Sequence, residues 1–371
     1  MLSKRINYVL FAVAIYFPIF WNLDSLGLQI FDESHNAVNA IEMMQNGNYF
    51  VRYYDGAPDL WEPKPPLLIW LQIFFIKLLG LTELSIRLPA ALATVGLIAF
   101  IIWFFKKNWQ DTEGGVFAAL TIVTSTGFIS YHVSRNGDHD ALVTFFLVGY
   151  MLFFWNWLKS QNQKHLLFSI LFIVLAVFTK SIIGVIFLPG LFLYVLLTGQ
   201  LFKVIGNLRF WIFSITGFLI VASYYLICEK LHPGHWTNVW NMEFLPRYTG
   251  SFKDGVNGWK PSFLDDKWYW VKKIYSKTYP IVWTLPLSIV CILKNTNKER
   301  RQFWLLLLCC SSTFLYIISN GCVIDWYDAP VYPILAMMSG LILSDIYNGL
   351  KTNLQNNISS PPPSTGLLRS F

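Results

Sequence analysis

The chain has 371 residues, 55% of them hydrophobic and only 13% charged, with a mean hydropathy of +0.47. A typical globular chain carries about 25% charged residues, so a soluble fold is excluded. The net charge of +7 does not indicate nucleic acid, because the basic residues form short clusters between apolar runs rather than one stripe laced with aromatics.

Apolar stretches long enough to cross about 30 Å of hydrocarbon as helix lie near residues 6–23, 86–105, 115–133, 140–158, 165–198, 210–228, 279–293, 302–319 and 328–347. The first lacks a small-residue cleavage site and reads as a retained spanning helix. The run 165–198 is too long for one span and is interrupted by Lys180, Ser181 and Gly184. Divided there, it brings the expected number of spans to about ten. The apolar run 66–80 is the exception. If it does not cross, and Lys4 and Arg5 face the cytoplasm, then Lys106 and Lys107, Lys159 and Lys164, Lys203 and Arg209, and Lys294 to Arg301 all fall inside. The charges therefore predict a juxtamembrane or re-entrant helix at 66–80. The expected architecture is an all-α polytopic bundle over residues 1–350, with external loops at about 24–85 and 229–278. A disordered cytoplasmic tail is expected over 351–371.

In the first loop, the segment from Asp32 to Met44 has apolar residues at helical spacing, which predicts an amphipathic helix along the interface. Asp32 would sit at its N-terminus, where the helix dipole favours a carboxylate acting as cap or as base. Glu33 is its acidic neighbour. Farther on, Trp61-Glu62-Pro63-Lys64-Pro65-Pro66 holds one lysine among prolines just before the apolar run. That stiffness places Lys64 where a lipid phosphate could meet it, although snorkelling to ordinary headgroups explains the position equally well.

A polar knot, Tyr131-His132-Val133-Ser134-Arg135-Asn136-Gly137-Asp138-His139-Asp140, separates two spans. Charges at the entrance of a spanning helix are costly and usually functional, which singles out Asp140. Asp138, His139 and Asp140 also resemble a metal cluster, but a divalent site needs more oxygen ligands than the stretch offers. No metal site is assigned, and a divalent cation is left open. In the second loop, Arg247 stands beside Tyr248 as a natural partner for phosphate. His232, His235 and Trp236 read as interfacial. The segment Asp325-Trp326-Tyr327-Asp328-Ala329-Pro330 opens the last span, as interface aromatics commonly do. The five cysteines, Cys228, Cys291, Cys309, Cys310 and Cys322, show no metal or redox spacing.

Taken in order, these segments resemble the polyprenyl-phosphate-dependent GT-C glycosyltransferases of the protein O-mannosyltransferase and lipid A aminoarabinose transferase superfamily (glycosyltransferase family 39-like). Asp32-Glu33 with Ala40-Ile41-Glu42-Met43 is similar to the first-loop signature, and Lys64-Pro65-Pro66 with Trp70 to its "KPP…W". Arg87-Leu88-Pro89-Ala90-Ala91-Leu92 resembles a helix-entry motif, Arg135-Asn136-Gly137-Asp138-His139-Asp140 the "RtGDyD" motif, and Asp325 to Pro333 the last one. The resemblance implies that Asp32 and Asp140, with Glu33, are catalytic, and that Lys64 and Arg247 hold the donor phosphate. It assigns Arg135, Asp138 and Tyr327 to substrate binding. It further implies inverting transfer of a sugar from a polyprenyl-phosphate donor to a lipid, glycan or protein acceptor at the periplasmic face of a bacterial inner membrane, with no cofactor. Phe244 stands where a relative would carry histidine after Glu243, which removes one ligand from any metal site there. Larger members carry more spans and an external C-terminal domain. A flippase of lipid-linked sugar, or a surface-polysaccharide polymerase or ligase, would use a related donor.

Overall fold

The computed structural model describes residues 2–59, 61–130, 132–244, 268–294, 297–319 and 326–359, and these form a helical bundle. Helix α1 (Leu2–Phe20) is followed by α2 (Asp32–Asn46), a small antiparallel hairpin of β1 (Tyr53–Tyr54) and β2 (Ala57–Pro58), and α3 (Leu67–Leu79). Then come α4 (Glu83–Trp109), α5 (Thr112–Thr124), the short α6 (Thr126–Ile129), α7 (Asp140–Ser160) and α8 (Gln163–Lys180). A 3-10 turn at Ser181–Val185 leads into α9 (Leu188–Leu197), α10 (Leu201–Ile205), α11 (Leu208–Leu231) and α12 (His235–Val239). The remaining helices are α13 (Tyr269–Thr278), α14 (Thr284–Lys294), α15 (Lys298–Ser319) and α16 (Val331–Ser359).

Polar side chains set where the long helices begin. The Thr82 hydroxyl accepts from Ser85 N ahead of α4, the Asp111 carboxylate from Gly114 N ahead of α5, and the Asn207 side chain from Phe210 N ahead of α11. Each satisfies one of the amide groups that a helix start leaves without an internal partner. Among the described residues, six helices, α4, α7, α8 with its 3-10 extension, α11, α15 and α16, are long and apolar enough to cross a membrane. Where the other four spans were expected lie the shorter apolar helices α1, α5, α9 and α14. The apolar run expected to lie beside the membrane forms the 13-residue α3, which spans about 20 Å. The last helix continues to Ser359, beyond the expected span end at 347. Residues 360–371 lie outside the described part.

Helix α7 is the hub: 89% of its apolar window is buried inside the protein, against 11% for α11. α7 packs along α8 and α4, while α5 packs along α16. α2 and α3 form a separate small core at one end of the bundle, where Ala37, Ala40, Met43, Ile69, Ile73 and Ile76 meet Ile86 of α4. That end carries the candidate site.

Candidate active site

Asp32 is the first residue of α2, one position past the cap, which Phe31 fills at φ 77°. It is therefore not a helix cap. Its carboxyl group is turned toward the 132–140 loop and remains partly open. Burial pushes the Asp32 carboxyl above the usual range, and the Asp138 and Glu62 charges add to this against Lys64 and His132.

The expected residues are brought together through partners that the sequence left unassigned. His132 Nδ1 lies 3.7 Å from Asp32 Oδ2 and 3.2 Å from Asp138 Oδ2. The other Asp138 oxygen accepts from His139 N at 2.6 Å and from His139 Nδ1 at 3.0 Å. On the far side of that ring, Arg52 Nη2 approaches His139 Nε2 at 2.9 Å. A guanidinium only donates, so Nε2 accepts and the proton sits on Nδ1. Burial lowers the His139 pKa to about 4, which keeps this tautomer neutral. Arg52 also meets Glu62 at 3.4 Å and donates to Pro65 O at 3.0 Å, and Glu62 contacts the Lys64 ammonium. Burial alone would raise the pKa of Glu62, but Lys64, His139 and Arg52 hold it down to about 2. Asp138 is likewise held well below the carboxylate range, because its two histidine hydrogen bonds outweigh its burial. One continuous chain of charges and hydrogen bonds thus runs from Asp32 to Lys64.

Asp140 opens α7, where both its oxygens accept from Lys180 Nζ at 2.6 and 2.7 Å. Lys180 also faces the Tyr327 ring, 5.1 Å from its centroid. Tyr327 therefore lies at the site beside Lys180, and Trp326 stacks on His132 with centroids 3.6 Å apart. Lys64, expected at a lipid surface, is instead drawn inward onto Glu62, with 12% side-chain exposure.

Two expected residues have other work. The Glu33 carboxylate is wholly buried and accepts from Arg87 Nε at 2.7 Å, Arg87 Nη2 at 2.9 Å, Gly137 N at 2.8 Å and Gln29 N at 2.8 Å. With its oxygens fully engaged it is a brace between α2, α4 and the 132–140 loop, and it has no capacity left for an acceptor proton. Arg135 donates to Pro18 O at 2.9 Å and Trp21 O at 2.6 Å, fastening the loop to the end of α1 rather than facing the acidic cluster. Gly137 is needed because a Cβ there would come 2.4 Å from Ile86 Cγ2. Arg247 lies outside the described residues.

Asp32, His132 and Asp138 each offer one atom within 4.8 Å of the others. Three donors fall short of the six to eight oxygens a calcium site takes, and the Asp138–His132 distance is that of a hydrogen bond.

Beside Lys180, Ser181 and Tyr225 hydrogen-bond at the end of an apolar groove of about 1150 Å³ between α8, α9 and α11. On α11 its lining runs from Phe210 to Glu229, a rise of roughly 28 Å.

Residues 63–227 match the family described as dolichyl-phosphate-mannose-protein mannosyltransferase. The chain is 24% identical over 340 residues to the undecaprenyl phosphate-alpha-4-amino-4-deoxy-L-arabinose arabinosyl transferase of Aeromonas hydrophila, covering 88% of this chain and 58% of that one. Among solved structures, ArnT from Cupriavidus metallidurans bound to undecaprenyl phosphate superposes with a TM-score of 0.76 at 17% identity, covering 94% of this chain and 62% of ArnT. The Archaeoglobus fulgidus oligosaccharyltransferase superposes at 0.57 with 14% identity, covering 95% of this chain and 52% of that one. The fold is that of ArnT and the archaeal oligosaccharyltransferase, and within it residues 63–227 are similar to the mannosyltransferase family. The chain spans about three fifths of the length of the two bacterial transferases.

Proposed function

We infer that the protein transfers a sugar from a polyprenyl-phosphate donor to an acceptor at the membrane surface, with Asp32 as base and Lys64 as a cation for the donor phosphate. The observation that carries this reading is the linked array from Asp32 to Lys64 standing beside the groove that starts at Ser181. An isoprenoid chain lying in that groove would leave its phosphate near Lys180 and Lys64. The relatives named for undecaprenyl phosphate supply the donor class.

Attack of an acceptor hydroxyl on the anomeric carbon forms the new glycosidic bond and breaks the bond from that carbon to the phosphate oxygen. The proton passes to Asp32, whose raised pKa suits the task. Charge developing on the leaving phosphate is met by Lys64, with Arg247 as its proposed second cation. Direct displacement inverts the anomeric configuration. The distribution of lysine and arginine supports a site on the periplasmic face of a bacterial inner membrane. The acceptor is a lipid, a glycan or a protein.

The test compares envelope lipids and glycoproteins, by mass spectrometry, from cells with and without the protein. A sugar adduct that disappears with the protein, and returns with wild type but not with Asp32→Asn, supports transfer. Vesicles in which a polyprenyl-phosphate sugar moves between leaflets with no covalent product would favour a flippase.

A further inference from the structure

His132 is positioned more tightly than a loop residue requires. Its ring lies nearly parallel to Trp326, at an interplanar angle of 12°, and only 4% of the residue is exposed. Its backbone sits at φ 66°, the left-handed region that residues other than glycine seldom occupy and that persists where the surroundings over-determine it. The ring nitrogen so fixed faces Asp138 Oδ2 at 3.2 Å and Asp32 Oδ2 at 3.7 Å. Two carboxylate oxygens around one imidazole nitrogen require a proton there, since a bare lone pair would repel both. The shorter approach is a hydrogen bond and the longer one is within ion-pair reach.

We propose that His132 is a positioning residue of the transfer reaction, whose Nδ1 proton is held by Asp138 and draws the Asp32 carboxylate into its ionised, reactive orientation. This rests on Asp32 acting as the base. The groups that face Asp32 give His132 its importance. Asp138 from the loop and Glu62 from the segment before α3 both disfavour the Asp32 charge, while Lys64 and His132 favour it. Lys64 is already in contact with Glu62, and Lys180 acts on Asp138 from the other side. On α2 itself, Glu33 is turned away onto Arg87. His132 thus brings a ring nitrogen to 3.7 Å from the base, adding to the larger attraction of Lys64. When Asp32 takes the acceptor proton, His132 keeps its own proton on Asp138, so the network resets once Asp32 releases its proton to solvent.

The test uses the full chain in lipid nanodiscs, with undecaprenyl-phosphate mannose and undecaprenyl-phosphate aminoarabinose as donor probes and a bacterial membrane lipid extract as acceptor. His132→Asn places an amide N–H near the Nδ1 position, and His132→Phe keeps the ring on Trp326 but removes the N–H. His132→Phe is expected to move the acid limb of kcat/KM upward by about one pH unit, and His132→Asn to return it to within about 0.3 of wild type. Loss of amplitude in both variants with the limb unmoved means a merely structural histidine and overturns the proposal. If wild type transfers neither sugar, the proposed function is at fault, and nitrogen-15 histidine NMR still decides the bridge. A protonated Nδ1 on His132 that shifts upon Asp32→Asn sustains it. An unprotonated Nδ1 at neutral pH, or manganese alone binding there with chelator-sensitive transfer, overturns it.

Discussion

Lys180 Nζ stands 2.6 and 2.7 Å from the two oxygens of Asp140, and this pair closes the α7–α8 hairpin at the site end. Asp140 is the first residue of α7 and Lys180 the last of α8, so two antiparallel helices of similar length joined by a tight turn must bring them together. Both side chains are buried. Removing one partner of such a pair costs about 3–5 kcal/mol, whereas replacing both with neutral groups costs far less. Lys180→Met should therefore lower the unfolding temperature sharply, and Asp140→Asn with Lys180→Met should recover most of it without recovering transfer. Thermal unfolding in detergent, read beside the transfer assay, checks both points.

Adjacent acids in α2 should behave in opposite ways. Glu33→Gln breaks charge-assisted bonds to Arg87 and the Gly137 amide, worth roughly 1.5–3 kcal/mol. Asp32→Asn removes no such brace and should stay within about 0.5 kcal/mol of wild type, while transfer falls about 10²–10⁴-fold. Denaturation midpoints and initial rates for the two variants separate a brace from a base.

The site should loosen in mild acid. His139 has its folded pKa lowered from 6.5 to about 4. Below pH 6.5 the unfolded chain takes up a proton that the folded chain refuses until about pH 4, so folding loses free energy as pH falls through that window, roughly 3 kcal/mol at most. Glu62, with its folded pKa lowered from 4.5 to about 2, stabilises above pH 4.5 and loses that contribution as pH falls below it. A melting-temperature series from pH 7 to pH 4 should show a decline that His139→Gln flattens.

The sequence revealed the helices because hydropathy and charge act locally, and the break at Lys180 was visible as one cation inside an apolar run. The same lysine, taken there only as the point between two helices, is the partner of Asp140. A charged residue at membrane depth is itself a sign of function, and that signal could have found it. Asp32 and Asp138 were legible as candidates, but the histidine and arginine that join them were not. Arg52 reaches His139 across 87 positions and Arg87 reaches Glu33 across 54, so neither pairing leaves a trace in local spacing. Glu33 shows the converse: being next to Asp32 in sequence suggested a shared role, yet neighbouring residues on a helix point about 100° apart, and Glu33 turns into the core.

The most direct test is transfer by purified protein in proteoliposomes supplied with radiolabelled undecaprenyl-phosphate sugar and membrane lipid extract. Wild type should release undecaprenyl phosphate and form an inverted glycoside, while Asp32→Asn and Lys64→Ala, equally well folded, should lose at least about 100-fold in rate. Undiminished transfer by both variants would contradict the assignment of this site.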